Sequence, residues 1–328
     1  MADLRVGLIG LGMMGRNHAR AIREVEGLEL VAVADAYGDP HGAAGKLSLC
    51  GSVDELIGRG LDMAVCAVPT GLHESVGLAL AAAGVHTLVE KPIADTVAAG
   101  QRLVDAFEGA GLVGAVGHIE RFNPALQSLR SRIESGDLGE VYQIATRRQG
   151  PFPARIADVG VVKDLGTHDI DLTSWLAQSP FTSVSARIST RSGRPHEDMV
   201  TASCQLANGV ITSHLVNWLS PMKERLTVVT GEKGAFVADT LTADLTFYEN
   251  GTSATEWEAV SNFRGVSEGN ITRLALTKRE PLRSELEAFR DAILGVADNT
   301  VTMREGLDTL RVAEAIIEAA RSKQSVSI

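Results

Sequence analysis

The sequence is poor in the residues that mark secreted, membrane and nucleic-acid-binding proteins. Its three cysteines, Cys50, Cys66 and Cys204, lie far apart without a CxxC pair, which predicts small buried side chains rather than disulfides or a metal site. No run approaches the roughly 20 apolar residues that span a bilayer. Acidic residues outnumber basic ones, 41 to 31, so a broad phosphate-binding face for nucleic acid is disfavoured.

The composition is typical of a packed globular protein. Hydrophobic residues make up 45 % and charged residues 22 % of 328 positions, so we do not expect a disordered chain. This length exceeds that of one compact core and predicts two domains. Asp3 stands where a signal peptide carries its basic segment, and we therefore expect a cytoplasmic protein without a leader.

The first third of the chain alternates short apolar runs with amphipathic segments. This pattern predicts βαβ units and therefore a doubly wound parallel sheet whose strands are covered on both faces. The predicted strands cover residues 4–9, 28–34, 63–68, 85–89 and 112–116.

After about residue 122 the pattern changes to alternating strands joined by turn-forming pairs such as Asn208-Gly209. It predicts an α+β domain with a large, open and mainly antiparallel sheet. The predicted strands cover 183–188, 200–206, 210–216, 226–230 and 245–248, and the closing helices cover 285–294 and 304–321. We therefore expect domains at 1–122 and 123–328, with the final helix 304–321 able to pack back on the first domain.

The clearest motif is a glycine-rich turn directly after the first predicted strand. Gly10, Gly12 and Gly15 form a GxGxxG pattern that opens a predicted helix. Such a turn lets pyrophosphate approach the backbone, and the helix amino terminus offers it N–H groups. Asp35 ends the second strand, 20 residues after Gly15, where a carboxylate binds the adenosine ribose. Because a carboxylate repels a 2′-phosphate and no arginine follows it, we expect NAD rather than NADP.

Two further motifs carry residues suited to chemistry. Glu90-Lys91-Pro92 follows a predicted strand, at the edge where open parallel sheets bind ligands. Asp164 and His168 are four residues apart, so a helix places them on one face, and imidazole moves protons near neutral pH. Taken alone, a solvated lysine, a helix-start acid and a packed core histidine explain these residues at least as well.

Together, the glycine turn, Glu90-Lys91-Pro92 and the segment Asp164-Leu165-Gly166-Thr167-His168 resemble the glucose–fructose oxidoreductase/inositol dehydrogenase (Gfo/Idh/MocA) family in order and spacing. The resemblance implies a Rossmann domain followed by an α/β domain that carries the substrate. It implies that Lys91 contacts cofactor and substrate and that the Lys91–Pro92 peptide is cis. It also implies that His168 is the general base, and that Asp164 orients it or binds a substrate hydroxyl.

The predicted cofactor is NAD, with NADP less favoured. His73 belongs to the predicted site because it resembles a family position near the nicotinamide ribose. The predicted cofactor-binding residues are Gly10, Gly12, Met13, Met14, Gly15, Asp35, Thr70, His73, Glu90, Lys91 and Pro92.

Three segments, 117–124, 216–221 and 229–234, resemble the branch of the family that acts on nucleotide-linked sugars such as UDP-N-acetylglucosamine. They predict hydride transfer at C3 of such a sugar. Tyrosine is common in the family where His118 stands, and this difference argues against a tyrosine proton relay. Trp218 either stacks on a ring of the substrate or only packs. The predicted substrate-binding residues are His118, Arg121, Asn123, Arg155 and Trp218.

Arg155 and its neighbours Arg147 and Arg148 also predict a cationic cluster for a diphosphate, although each arginine alone equally suits a solvated strand face.

Two other functions remain compatible with the sequence. One keeps the family and changes the substrate, to an inositol, a free sugar or a ketosugar that is reduced. The other is a protein that senses NAD without catalysis, because fold does not fix function. The family resemblance further implies a homodimer or homotetramer formed through the carboxy-terminal sheet.

Overall fold

The chain forms two compact units, each built on one β-sheet. The computed structural model describes residues 3–153, 159–251 and 268–328. One unit comprises Met1–Ile119 and Glu280–Arg311, and the other comprises Glu120–Arg279 and Val312–Ile328. The first sheet is parallel and the second is mixed and mostly antiparallel, which confirms the predicted fold class.

The sheet of the first unit has six parallel strands in the order β3-β2-β1-β4-β5-β6. The strands are β1 (Leu4–Ile9), β2 (Leu28–Ala34), β3 (Leu49–Cys50), β4 (Met63–Cys66), β5 (His86–Glu90) and β6 (Gly114–Gly117). The strand order reverses between β1 and β4, and ligands bind at the carboxyl ends of strands beside such a reversal.

The sheet of the second unit has nine strands in the order β14-β13-β12-β11-β7-β10-β9-β8-β15. All neighbouring strands are antiparallel except β10 and β7. The strands are β7 (Val141–Pro151), β8 (Phe181–Ser189), β9 (Met199–Leu206), β10 (Ile211–Asn217), β11 (Leu219–Gly231), β12 (Gly234–Asp239), β13 (Asp244–Asn250), β14 (Glu268–Leu274) and β15 (Val326–Ser327).

The helices pack against these sheets. A π-helical turn over Val162–Gly166 leads directly into the helix Thr167–Ala177. In chain order, the described α-helices are α1 (Met13–Glu24), α2 (Val53–Ile57), α3 (His73–Ala82), α4 (Val97–Gly109), α5 (Pro124–Glu134), α6 (Thr167–Ala177), α7 (Pro281–Ile293) and α8 (Met303–Ser322). Among these residues, no helix combines the length and apolar composition needed to cross a membrane.

The parallel sheet is buried on both faces. Alternate residues of β4 belong to different apolar clusters, with Met63 and Val65 in one and Ala64 and Cys66 in the other. This explains why the strands of this sheet are continuous apolar runs. Cys66 is fully buried, and burial raises the pKa of its thiol to about 12.

Helix α6 is buried on most of its surface, and two of its carboxylates pair with arginines. Asp171 accepts two hydrogen bonds from Arg121, at 2.8 and 2.6 Å. Asp169 accepts one from Arg148 at 2.7 Å, and Arg148 also donates to Glu120 at 2.8 Å. Burial opposes ionisation of Arg148, yet the carboxylates of Asp169 and Glu120 raise its pKa.

Removing one partner from such a pair leaves a buried charge uncompensated. We expect Asp171→Ala to lower the free energy of unfolding by about 3–5 kcal/mol, which corresponds to a fall in Tm of roughly 10 °C. The control is Arg273→Ala, because the Arg273 side chain is 69 % exposed in its pair with Asp244 and such pairs contribute about 1 kcal/mol or less. Thermal melts that show equal shifts in Tm for both variants would contradict the assignment of Asp171 and Arg121 as a stabilising buried pair.

Candidate active site

The turn between β1 and α1 accepts only glycine at two positions. Gly10 has φ = 91°, and a Cβ there would lie 2.4 Å from the carbonyl oxygen of Ala67. A Cβ on Gly15 would lie 1.9 Å from the carbonyl oxygen of Gly10. Because Gly10 has no Cβ, the turn can lie against the segment after β4. Because Gly15 has none, α1 can pack closely on the turn.

Gly12 leaves open space at the start of α1. A Cβ on Gly12 would meet nothing within 4 Å, and no side chain caps the helix there. The first N–H groups of a helix lack intrahelical partners and carry partial positive charge. Met13, which is exposed, and Met14 supply the first residues of α1. The open position and the uncapped helix start therefore fit the pyrophosphate of a dinucleotide.

Asp35 follows β2, and its carboxylate is bound to the glycine turn. Oδ2 accepts a hydrogen bond from the N–H of Leu11 at 2.6 Å, and Oδ1 accepts one from the N–H of Tyr37 at 2.7 Å. A carboxylate has about four acceptor positions, so these bonds leave capacity for ribose hydroxyls. The sequence does not reveal that Asp35 also holds the turn in place.

Lys91 follows β5 in a turn whose Lys91–Pro92 peptide is cis, as expected. Glu90, which is buried, places Oε1 2.7 Å from Nε2 of His18, and its Oε2 accepts from the N–H of Lys91 at 3.2 Å. Burial opposes ionisation of Glu90, but the bond with His18 and the charge of Lys91 hold its pKa below the usual value. The residue before the predicted catalytic lysine is thus a buried carboxylate that accepts from its backbone N–H.

His73 begins α3, just after a 3₁₀ turn over Thr70–Leu72. Its ring is buried, with Nδ1 2.9 Å from the carbonyl oxygen of Pro92 and Nε2 3.0 Å from that of Val68. Burial lowers the pKa of His73, and a neutral imidazole has one N–H, so it donates to one carbonyl at a time. Contact of His73 or Thr70 with a nicotinamide ribose stays a prediction.

These residues share one edge of the parallel sheet. The glycine turn follows β1, Asp35 follows β2, Thr70 follows β4 and Lys91 follows β5, so all lie where the carboxyl ends of parallel strands meet. His118 follows β6 at the same edge and is buried.

In the second unit, Asp164 and His168 lie on one continuous helical segment. Asp164 belongs to the π-helical turn and His168 is the second residue of α6. Both are buried, with 4 % and 8 % of their surfaces exposed. Gly166 lies between the two residues and weakens the expectation of a regular α-helix there, and the structure forms a π-helical turn at that place.

Glu197 fixes the start of this segment. Its Oε1 accepts from the N–H of Val162 at 3.1 Å, and its carbonyl oxygen accepts from the N–H of Val161 at 3.0 Å. A Cβ on Gly160 would lie 2.0 Å from Oε1 of Glu197, so glycine lets the carboxylate reach the helix start. No pattern around Glu197 in the sequence signals this role.

The predicted substrate-binding residues are mostly engaged within the second unit. Arg121 binds Asp171, and Asn123 caps α5 by accepting from Ala125 N at 3.0 Å and donating to Thr240 O at 3.1 Å. Trp218 is 3 % exposed and packs edge-on against Phe152, with ring centroids 5.3 Å apart. Substrate contacts by these residues stay predictions.

The predicted cationic cluster is not observed at its two described members. Arg148 is buried between Asp169 and Glu120, and Arg147 lies 2.8 Å from the carboxylate of Glu224. Arg148 is therefore not available to a diphosphate, because carboxylates of the same unit bury and neutralise it. The Arg147 side chain is half exposed, and its contact with a diphosphate stays a prediction. Arg155 lies outside the described residues.

The parallel sheet, its glycine turn and the acid after β2 are typical of a dinucleotide-binding domain. Residues 4–118 match the family model for the oxidoreductase family with an NAD-binding Rossmann fold, and residues 126–237 match the GFO/IDH/MocA C-terminal domain. The chain belongs to the Gfo/Idh/MocA family and is a dehydrogenase of that family.

Its similarity to characterised relatives extends over most of the chain. A UDP-N-acetylglucosamine 3-dehydrogenase of Acidithiobacillus ferrooxidans is 29 % identical over 89 % of this chain and 90 % of its own length. Its crystal structure matches with a TM-score of 0.85 and 26 % identity, covering 98 % of this chain and 99 % of that one. Inositol 2-dehydrogenase 4 of Saccharopolyspora erythraea is 32 % identical over 64 % of this chain and 66 % of its own length.

A further similar structure was solved with a nicotinamide cofactor and a nucleotide-linked sugar bound. The WlbA dehydrogenase of Bordetella pertussis, in complex with NADH and UDP-GlcNAcA, matches with a TM-score of 0.83 and 25 % identity, covering 100 % of this chain and 98 % of that one.

The second and third glycines of the turn, Gly12 and Gly15, make separable predictions. We expect Gly15→Ala to lower Tm, because the new Cβ collides with backbone that cannot move aside. Gly12→Ala should leave Tm unchanged, since the space around it is open, and should weaken NADH binding by about tenfold, because the methyl group occupies the approach of the pyrophosphate. Differential scanning fluorimetry and NADH fluorescence titration measure both effects. Unchanged NADH affinity in Gly12→Ala would contradict the pyrophosphate assignment.

Proposed function

We propose that the chain oxidises a secondary alcohol of a nucleotide-linked sugar, with UDP-N-acetylglucosamine at C3 as the specific candidate. The observation that carries this proposal is the near full-length similarity to the UDP-N-acetylglucosamine 3-dehydrogenase, 89 % of this chain and 90 % of the relative. The complex of a second relative with NADH and UDP-GlcNAcA supports the same substrate class.

In the proposed reaction, three residues of this chain act on the alcohol. His168 removes the hydroxyl proton as a general base, and Asp164 orients His168 or binds a neighbouring hydroxyl. The ammonium group of Lys91 stabilises the negative charge that develops on the oxygen. NAD, when bound, supplies the hydride acceptor.

We propose NAD rather than NADP as the working cofactor. The carboxylate of Asp35 would repel a 2′-phosphate, and its bond to the N–H of Leu11 holds it in place beside the glycine turn. Ala36 and Tyr37, the next two residues, offer no guanidinium to compensate that repulsion. In this proposal Met13, Met14 and Thr70 complete the cofactor site. Arg155 remains the proposed contact for the diphosphate of the substrate.

The second candidate function is an inositol or free-sugar dehydrogenase, or a ketosugar reductase, of the same family. It is supported by the inositol 2-dehydrogenase that is 32 % identical over 64 % of this chain. The higher coverage of the nucleotide-sugar relative favours the first candidate.

We also propose a homodimer or homotetramer formed through the face of the nine-stranded sheet opposite its helices. Strand register aligns a row of small, uncharged residues across that face: Ser185, Ser203, Ser213, Ala145, Val228 and Val237. A row of small, uncharged side chains suits contact with a second copy of the same sheet. A monomer mass in light scattering would contradict this proposal.

The proposed general base makes a direct prediction. His168→Ala should lower kcat by about 10² to 10⁴-fold, the usual contribution of general base catalysis, while NADH affinity stays unchanged. His41→Ala is the control, because His41 is an exposed histidine of the first unit, and it should leave kcat unchanged. Steady-state kinetics and NADH titration separate the two effects. An unchanged kcat in His168→Ala would remove His168 from the mechanism.

A substrate panel tests the proposed specificity. With UDP-N-acetylglucosamine, myo-inositol and scyllo-inositol, each with NAD and with NADP, we expect the highest kcat/KM for the UDP-sugar with NAD. The appearance of reduced nicotinamide reports each reaction. A higher kcat/KM for an inositol would favour the second candidate, and a higher kcat/KM with NADP would overturn the role given to Asp35.

A further inference from the structure

Two buried histidines hold the turn that carries Lys91, one on each side. His18 is 0 % exposed and contacts Glu90, whose other carboxylate oxygen accepts from the N–H of Lys91. His73 is 1 % exposed and contacts the carbonyl oxygen of Pro92. The backbone is therefore anchored immediately before and immediately after the lysine.

The contact between His18 and Glu90 joins the Lys91 turn to α1, the helix that follows the glycine turn. His18 lies on α1, three residues after Gly15, so its ring connects the glycine turn to the end of β5. Gly117 on β6 leaves room for the carboxylate, since a Cβ there would lie 3.1 Å from Oε2 of Glu90. A buried carboxylate and its hydrogen-bonding partner often add no more stability than apolar residues of equal volume, so stability alone does not account for the contact between His18 and Glu90.

The second anchor joins two loops at the same edge of the sheet. Nε2 of His73 lies 3.0 Å from the carbonyl oxygen of Val68, after β4, and Nδ1 lies 2.9 Å from that of Pro92, after β5. One imidazole thus lies between the loop after β4 and the loop after β5, and in the tautomer that donates to Pro92 it limits how far the Lys91 turn can shift.

We propose that His18, acting through Glu90, and His73, acting through the carbonyl group of Pro92, are positioning residues that fix Lys91 for its contact with the reacting oxygen. This inference rests on the role proposed above for Lys91. Displacing a reacting group by about 1 Å can lower the rate 10²-fold, so anchoring on both sides has a direct kinetic consequence.

The first test removes and then restores the contact with Glu90. His18→Leu should lower kcat about tenfold or more with NADH affinity unchanged, and His18→Gln, whose amide can replace Nε2 as a donor, should recover most of kcat. His86→Leu is the matched control: His86 is partly buried at the opposite end of β5 and its Nδ1 accepts from the N–H of Val113 at 2.9 Å. An equal loss of kcat in His18→Leu and His86→Leu, or no recovery in His18→Gln, would overturn the proposal.

The second test distinguishes the two contacts of His73. An asparagine amide reaches the position of Nδ1 and keeps the contact with Pro92, whereas a glutamine amide reaches the position of Nε2 and keeps the contact with Val68. We expect His73→Asn to retain more kcat than His73→Gln at similar Tm. The reverse order would overturn the role of His73.

A third measurement does not depend on the proposed reaction. Competitive acetylation with acetic anhydride, read by mass spectrometry, reports the reactivity of Lys91 relative to the other lysines in the substrate-free protein. Glu90→Gln should change the reactivity of Lys91 about twofold or more, because it alters the carboxylate that accepts from the N–H of Lys91, and His86→Leu should not change it. An unchanged Lys91 reactivity in Glu90→Gln would overturn the coupling. If Glu90→Gln changes the reactivity of Lys91 but keeps a normal kcat, Glu90 and Lys91 are coupled and the proposed catalytic role of Lys91 is overturned.

Discussion

The cofactor side of the molecule depends on the close approach of two backbone segments at Gly10 and Gly15. That approach sets the start of α1: a side chain at Gly15 would push the helix away from the turn, and one at Gly10 would collide with the segment after β4. Asp35 secures the same turn by accepting from the N–H of Leu11. Further along α1, His18 reaches Glu90 beside Lys91. The geometry of the turn is thereby connected, through one helix, to the lysine.

The second unit meets a different constraint, because α6 carries polar residues on a buried helix. Asp169 and Asp171 follow the predicted base His168 by one and three residues, and each pairs with a buried arginine. Glu197 holds the preceding π-helical turn through the N–H of Val162. Charges that would be costly to bury alone are thus paired, and the pairs fix the helix that carries His168.

Several parts of this arrangement could be predicted from the sequence because local patterns determine them. Continuous apolar runs predicted β1 and β2 with their observed bounds, and the spacing of glycines predicted the turn. β7 was not predicted as a strand, because the buried Arg148 interrupts its apolar alternation. Its partner Asp169 is 21 residues away in the sequence, and no local pattern connects them.

The residues that contact the candidate site from distant parts of the chain could not be predicted either, because no local pattern connects them. His18 and Glu90 are 72 residues apart, so their contact depends on the order of the strands rather than on any motif. The arginine cluster of Arg147, Arg148 and Arg155 indicated a diphosphate site, yet Arg148 pairs with buried acids. Composition does not distinguish a guanidinium that binds a ligand from one that neutralises a buried acid.

The central claim is that Lys91 and His168 act on the same alcohol. A crystal structure with NADH and UDP-N-acetylglucosamine tests it most directly. The account predicts that the Lys91 ammonium and the His168 imidazole both lie within hydrogen-bond reach, about 2.6–3.2 Å, of one sugar hydroxyl. A complex in which the two groups contact different parts of the ligand, or in which either contacts none, would contradict it.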